Sequence, residues 1–173
     1  DVSQPDPGYI RSYPPGVREN GGQYSHGAIW SVFAHAQLRQ NERAYQLFSM
    51  LNPVNHTRSE DDANRYKAEP YVVAADIYSV APHVGRAGWT WYTGAAGWLY
   101  RAGMEAILGL TWEEGKSVLI RPCVPAEWPG FKVKLTHGEA RLVLSLLRGA
   151  AKPDDDRVQQ TGDGAWRIAL RGD

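Results

Sequence analysis

The sequence predicts an α+β chain, helical to about residue 110 and antiparallel β beyond it. Three observations carry that expectation. Apolar residues recur three and four apart in segments between residues 25 and 108, the pattern turns to period-two alternation in F-K-V-K-L at 131–135, and apolar residues make up 43% of the 173, enough to build a core. The order of the two patterns predicts a helical region over residues 1–110, entered through an extended loop, and a small antiparallel β region over 111–173.

Prolines at 5, 7, 14 and 15 make Asp1 to Pro15 an extended entry segment. The glycine-rich run P-P-G-V-R-E-N-G-G-Q-Y-S-H-G at 14–27 then leads into a helix over 25–40. Its stripe is Ile29, Val32, Phe33, Ala36 and Leu38, with Ser25 as N-cap and His26 in the first turn. A second helix over 41–51 is capped by Asn41, striped by Ala44, Leu47, Phe48 and Leu51, and stopped at Asn52-Pro53, which makes an antiparallel helical hairpin. The polar stretch 54–70 offers one capped turn in S-E-D-D-A-N-R-Y, and the apolar run from Pro70 to Tyr78 is expected to be buried as a short helix opened by proline. A further helix should run from Gly94 to Leu108 and end at Gly109. Strands are expected at 117–120, 131–135, 140–147 after the His137-Gly138 turn, and 165–170 after the turn at 161–164.

Nineteen basic and nineteen acidic side chains cancel, so no overall field marks a nucleic-acid or membrane-surface partner. No window reaches the roughly 18 apolar residues of a membrane span. The single cysteine, Cys123, excludes an intrachain disulfide, is expected as small core filler, and fits a reducing, cytoplasmic setting. The five histidines are scattered and no H-E-x-x-H occurs, so neither a metal site nor a cofactor is expected; G-x-x-x-x-G-K-[ST] and G-x-S-x-G are absent as well.

The stretch W-T-W-Y-T-G-A-A-G-W at 89–98 stands out. Glycines and β-branched threonines weaken a helix where the aromatics invite contact, so it reads as the wall of a site. Seven tryptophans and nine tyrosines against three phenylalanines favour rings with a polar handle, which suit sugar faces as well as any half-wet surface. His26 and the Thr93-Gly94 pair each stand at an expected helix start beside glycine-rich backbone. Two accounts remain for them: a shared anion site, or two unrelated caps. Among the carboxylates, Glu19 is either a sugar-hydroxyl acceptor or an ion-pair partner of Arg18 or Arg11, and Glu69 is equally readable as a buried anchor.

Several of these blocks together resemble a known family. The runs P-P-G-V-R-E-N-G-G-Q-Y-S-H-G-A-I-W (14–30), L-N-P (51–53), Y-K-A-E-P-Y-V-V-A-A-D-I-Y (66–78), G-R-A-G-W-T-W-Y-T-G-A-A-G-W-L-Y-R (85–101), I-L-G-L (107–110) and I-R-P-C-V-P-A-E-W (120–128) closely resemble the C-terminal part of glycoside hydrolase family 94. That family includes cellobiose and chitobiose phosphorylases and the C-terminal region of cyclic β-1,2-glucan synthases, and the likeness is greatest to the last group.

The resemblance implies the last helices of an (α/α)6 barrel followed by a small β domain. It implies inverting phosphorolysis with inorganic phosphate as co-substrate, held by His26, Thr93 and Gly94. Arg18 and Glu19 would stand near the acceptor sugar, with Trp89, Trp91 and Tyr92 shaping the sugar pocket. The family's catalytic aspartate belongs to a segment N-terminal to these residues, so no catalytic residue is assigned and this stretch alone should not turn over substrate. The expected partners are a β-glucan oligosaccharide, phosphate and the rest of a parent chain, with a homodimer through exposed barrel faces and no nucleic-acid or membrane contact. Anchoring of the parent in the inner membrane is left open. The implied function is phosphorolysis or binding of β-1,2-glucan chain ends, controlling chain length; its rival is a non-catalytic carbohydrate-binding module.

Overall fold

Residues 4–170 are described by a computed structural model, and they form an α+β chain with the helices first. The entry segment is not wholly extended: Gly8–Ser12 closes a 3-10 turn, which Asp6 supports by accepting from the Gly8 amide. Strand β1 (Gln23–Tyr24) leads directly into α1 (Ser25–Gln37), and α2 (Asn41–Leu51) folds back against it. Ile29, Val32 and Ala44 are fully buried between the two, as the apolar spacing requires, and Phe33, Ala36, Tyr45, Leu47, Phe48 and Leu51 pack around them.

The expected caps are displaced by one residue. Tyr24 and Gln40 hold the N-cap positions, while Ser25 and Asn41 are the first helical residues. Each polar side chain has a competing partner: Ser25 Oγ accepts from Gln23 Nε2, and Asn41 Nδ2 donates to the Val124 carbonyl. The first helix ends at Gln37, three residues before the expected end, and Leu38 lies outside the buried stripe at 68% exposure.

The polar stretch after Pro53–His56 holds more than one turn. Ser59 caps α3 (Glu60–Tyr66) by accepting from the Asp62 amide, and three carboxylates in its first turn complement the helix dipole. The run from Pro70 to Tyr78, in contrast, is not a helix. It is extended and contains β2 (Asp76–Ile77), paired antiparallel with β1 in the register Gln23↔Ile77 and Tyr24↔Asp76. Tertiary pairing overrides the local proline signal, and Val72, Ala74, Ala75 and Asp76 are buried as expected. Tyr66 anchors this run by donating from its hydroxyl to the Val72 carbonyl, and burial pushes its phenol above the ordinary value.

Helix α4 (Ala95–Arg101) continues as a wider π-helical segment, Ala102–Ile107, closed by Leu108 N–H donating to Gly103 O five residues back. Gly109 ends it at φ +73°, where an added Cβ would collide with the Arg121 carbonyl.

Beyond it, β3 (Leu110–Glu113), β4 (Ser117–Ile120), β7 (Val158–Gln160) and β8 (Trp166–Ala169) form an antiparallel sheet in the order β3-β4-β8-β7; β5 (Gly130–His137) and β6 (Ala140–Leu147) form a separate hairpin. β3 and β7 had no alternating signal long enough to mark them. Leu110, Val118, Ile120, Val133, Ile168 and Leu170 make the β core. The segment after β4 returns to the helices: Cys123 is buried in the helical core, and its thiol donates to Asn41 Oδ1 at 3.1 Å.

Candidate functional site

Three stretches that are distant in sequence are laid side by side through backbone hydrogen bonds. Ser25 N–H donates to Ala75 O at 2.8 Å, and Ala75 N–H donates to Trp89 O at 2.7 Å. Ala75 thereby links the start of α1 to the aromatic stretch, and the β1–β2 pair extends that link along one edge.

His26, the second residue of α1, sits among aromatic rings. Its centroid lies 4.9 Å from Trp30, 5.4 Å from Trp98 of α4 and 6.2 Å from Tyr24. These contacts bring α1 and α4 together at their N-terminal ends. The ring is held, but its Nε2 is buried and has no hydrogen-bond partner. A buried polar nitrogen without a partner costs about 1–3 kcal/mol, and Arg121 Nε is a second such atom among the described residues.

Thr93 and Gly94 directly precede α4. Thr93 Oγ1 accepts from Ala95 N–H at 3.1 Å, acting as a local cap, and retains its own proton to donate elsewhere. Gly94 is exposed, and an added Cβ there would meet nothing within 4 Å.

The remaining candidates form a more exposed group. Trp89, Trp91 and Tyr92 are 55%, 64% and 87% exposed. The two indoles are held despite that exposure: Trp89 Nε1 donates to Tyr92 O at 2.9 Å, and Trp91 Nε1 donates to Glu69 Oε1 at 3.3 Å. Trp91 adopts φ +67°, a strained conformation for a bulky residue of the kind that clusters at ligand sites. Glu69 is therefore an exposed partner of an aromatic ring and not a buried anchor.

Arg18 also has a positive φ, 47°, and its guanidinium lies 5.7 Å from the Tyr13 ring centroid. Glu19 is exposed and forms no ion pair among the described residues; Arg11 pairs with Asp6 instead, at 3.2 Å.

Sequence reasoning assigned no role to Asp76, which is 1% exposed beneath both groups. Its Oδ2 accepts from Arg18 N–H at 3.0 Å and its Oδ1 from Trp89 N–H at 3.3 Å. A carboxylate inside the apolar run V-V-A-A-D-I was the available signal, because a buried charge requires donors. Trp98, which with Trp30 holds His26, closes the aromatic stretch already marked in the sequence, whereas Trp30 carried no signal of its own.

Among the described residues no group of three or more His, Cys, Asp or Glu side chains is placed to hold a metal, and no helix is long and apolar enough to cross a membrane.

Residues 1–109 match the family model described as "Glycosyl hydrolase 94 superfamily, catalytic domain". The chain is 57% identical over 148 residues, 86% of its length, to a cyclic beta-(1,2)-glucan synthase, NdvB, of Rhizobium meliloti (strain 1021). It is 37% identical over 74% of its length to an N,N'-diacetylchitobiose phosphorylase of Vibrio proteolyticus, and 30% identical over 80% to a solabiose phosphorylase of Paenibacillus borealis. The matched part spans 5%, 16% and 18% of those three relatives. With a match to the family model over most of its length, in the region that holds His26, Thr93 and the aromatic stretch, the chain belongs to the glycosyl hydrolase 94 superfamily.

Proposed function

We propose that this chain supplies one side of a phosphorolytic site that acts on the ends of β-1,2-glucan chains within a longer cyclic glucan synthase, and so limits chain length. The observation that carries the reading is the unpartnered, buried His26 Nε2 on the side of the fold where α1 and α4 begin. An anion with several acceptor oxygens satisfies such a nitrogen when it carries a proton, and helix starts contribute favourable dipoles. In this reading phosphate is held by His26 Nε2, the Thr93 hydroxyl and the Gly94 backbone. Trp89, Trp91 and Tyr92 bear on sugar faces, and Arg18 and Glu19 take sugar hydroxyls. The helices are the last ones of an (α/α)6 barrel over residues 1–110, and residues 111–173 are a β domain; the two cores, each drawn mainly from one of these regions, support that division.

The chemistry follows from the partners. A phosphate oxygen attacks the anomeric carbon from the face opposite the glycosidic bond, the C1–O bond breaks, and the departing glucan oxygen takes a proton from a carboxylic acid. The family resemblance puts that acid upstream of the matched residues. His26, Thr93 and Gly94 would orient the nucleophile and spread its charge.

The test is to give the full-length parent β-1,2-glucooligosaccharides and inorganic phosphate and to assay α-glucose 1-phosphate. Release of that product, lost on His26→Ala, supports the reading. Binding of the glucan without any product assigns the site instead to a non-catalytic carbohydrate module.

A further inference from the structure

The buried carboxylate of Asp76 takes no part in the proposed chemistry, yet its placement is specific. It lies in β2, is 1% exposed, and forms no ion pair among the described residues. Each oxygen instead accepts one backbone N–H from a different loop: Oδ2 from Arg18 at 3.0 Å and Oδ1 from Trp89 at 3.3 Å. The donors are 58 and 13 residues away in sequence, so no local turn explains the pair. The contact is also enforced from behind. A Cβ on Gly88 would collide with Asp76 Oδ1 and come within 2.9 Å of the Tyr78 ring.

We infer that Asp76 is a positioning residue that locks the Arg18–Glu19 loop to the Trp89 loop, setting the width of the sugar-binding side without fixing the phosphate side. The assignment of the two sides rests on the function proposed above; the lock itself does not. Asp76 is suited to this because a carboxylate offers one oxygen as acceptor to each loop, whereas an amide would aim its NH2 at one of the two N–H groups. The phosphate side has separate supports: Ser25 N–H on Ala75 O, His26 against Trp98, and Ala95 N–H on the Thr93 hydroxyl. Loss of the Asp76 lock should therefore divide the two ligands.

In the full-length parent, Asp76→Asn should raise the KM for β-1,2-glucooligosaccharide about ten-fold or more, as expected when a charged hydrogen bond is lost, and leave the KM for inorganic phosphate within about two-fold. Backbone amide exchange at Arg18 and Trp89 should accelerate while that at Ser25 is unchanged. An equal rise in both KM values, or unchanged exchange at Arg18 and Trp89 in the folded variant, overturns the inference. If Asp76→Asn does not fold, exchange in the unsubstituted protein decides: Arg18 and Trp89 amides as protected as Ser25 support the lock, and free exchange at either sinks it. A parent that binds neither sugar nor phosphate refutes the proposed function and leaves the exchange result to judge Asp76.

Discussion

His26 separates a ligand-binding histidine from a structural one because the two roles predict opposite effects of the same substitution. Its ring packs edge-on to Trp30 and tilted on Trp98, contacts that a phenylalanine ring reproduces, whereas its Nε2 has no partner to lose. His26→Phe should therefore leave stability unchanged or raise it by up to about 1 kcal/mol, while weakening phosphate binding by about 1.5–3 kcal/mol. Thermal melting and phosphate titration of the parent check the two halves; a destabilised variant with intact phosphate affinity would make His26 structural. At this scale the sequence was legible where the signal was local. His26 in the first turn of α1 and Thr93-Gly94 just before α4 stand where helix-start signals put them, and the exposed aromatic stretch was marked by its composition. Asp76 was not legible as a positioning group, because its meaning lies in donors contributed by Arg18 and Trp89, and no periodicity or motif reports a contact across 58 residues.

The elements repeat that lesson with pairing in place of contacts. Alternating segments such as Phe131 to Leu135 were recognisable as strands, and α1 and α2 by their stripes, since each pattern commits a face to a core. Pro70 to Tyr78 was misread because a short apolar run behind a proline suits either helix or strand, and what decides is the partner β1 far upstream. The four-stranded sheet has its own testable feature. Glu113 on β3 accepts from Arg167 on β8 at 2.7 Å, bridging over β4, and from Ser117 Oγ at 2.9 Å. The Arg167 bond above all, then the Ser117 bond, holds the Glu113 carboxyl down at about 2 from an ordinary 4.5. A depressed carboxylate contributes its stability above the unfolded value and loses it as pH falls through the folded one. The melting-temperature gap between the native chain and Glu113→Gln should therefore be full above pH 4.5, shrink as pH falls, and close near pH 2. The gap should be small, because the pair is solvated, and a pH-independent gap would assign it to packing.

Across the whole molecule, the helical and β cores meet through the end of the π-helical segment and the returning segment after β4. Arg121 N–H donates to Gly109 O at 2.8 Å and Cys123 N–H to Ile107 O at 2.9 Å, so the chain leaving the sheet is stitched to the chain leaving the helix. The same return continues over α2: Arg39 donates to Pro122 O at 3.0 Å, Ala126 N–H to Glu42 Oε1 at 2.9 Å, and the Tyr45 and Trp128 rings meet edge-on. Met104 and Leu108, on the helical side, pack against the β core, while Cys123 and Val124, from the β side of the chain, pack against the helical one. Each core therefore contains residues contributed from across the joint, and the joint admits no side chain at Gly109, which has φ +73° and would drive a Cβ into the Arg121 carbonyl. Gly109→Ala should cost about 1–3 kcal/mol from backbone conformation alone, with the steric displacement of Arg121 in addition. Because the strain falls on a connection shared by both cores, the helical circular dichroism and the near-ultraviolet signal of Trp112 and Trp166 in the sheet should lose stability together, in a single transition at lower temperature. Melting of the sheet signal alone, with the helical signal unmoved, would show the cores to be independent and Gly109 to act only as a local turn.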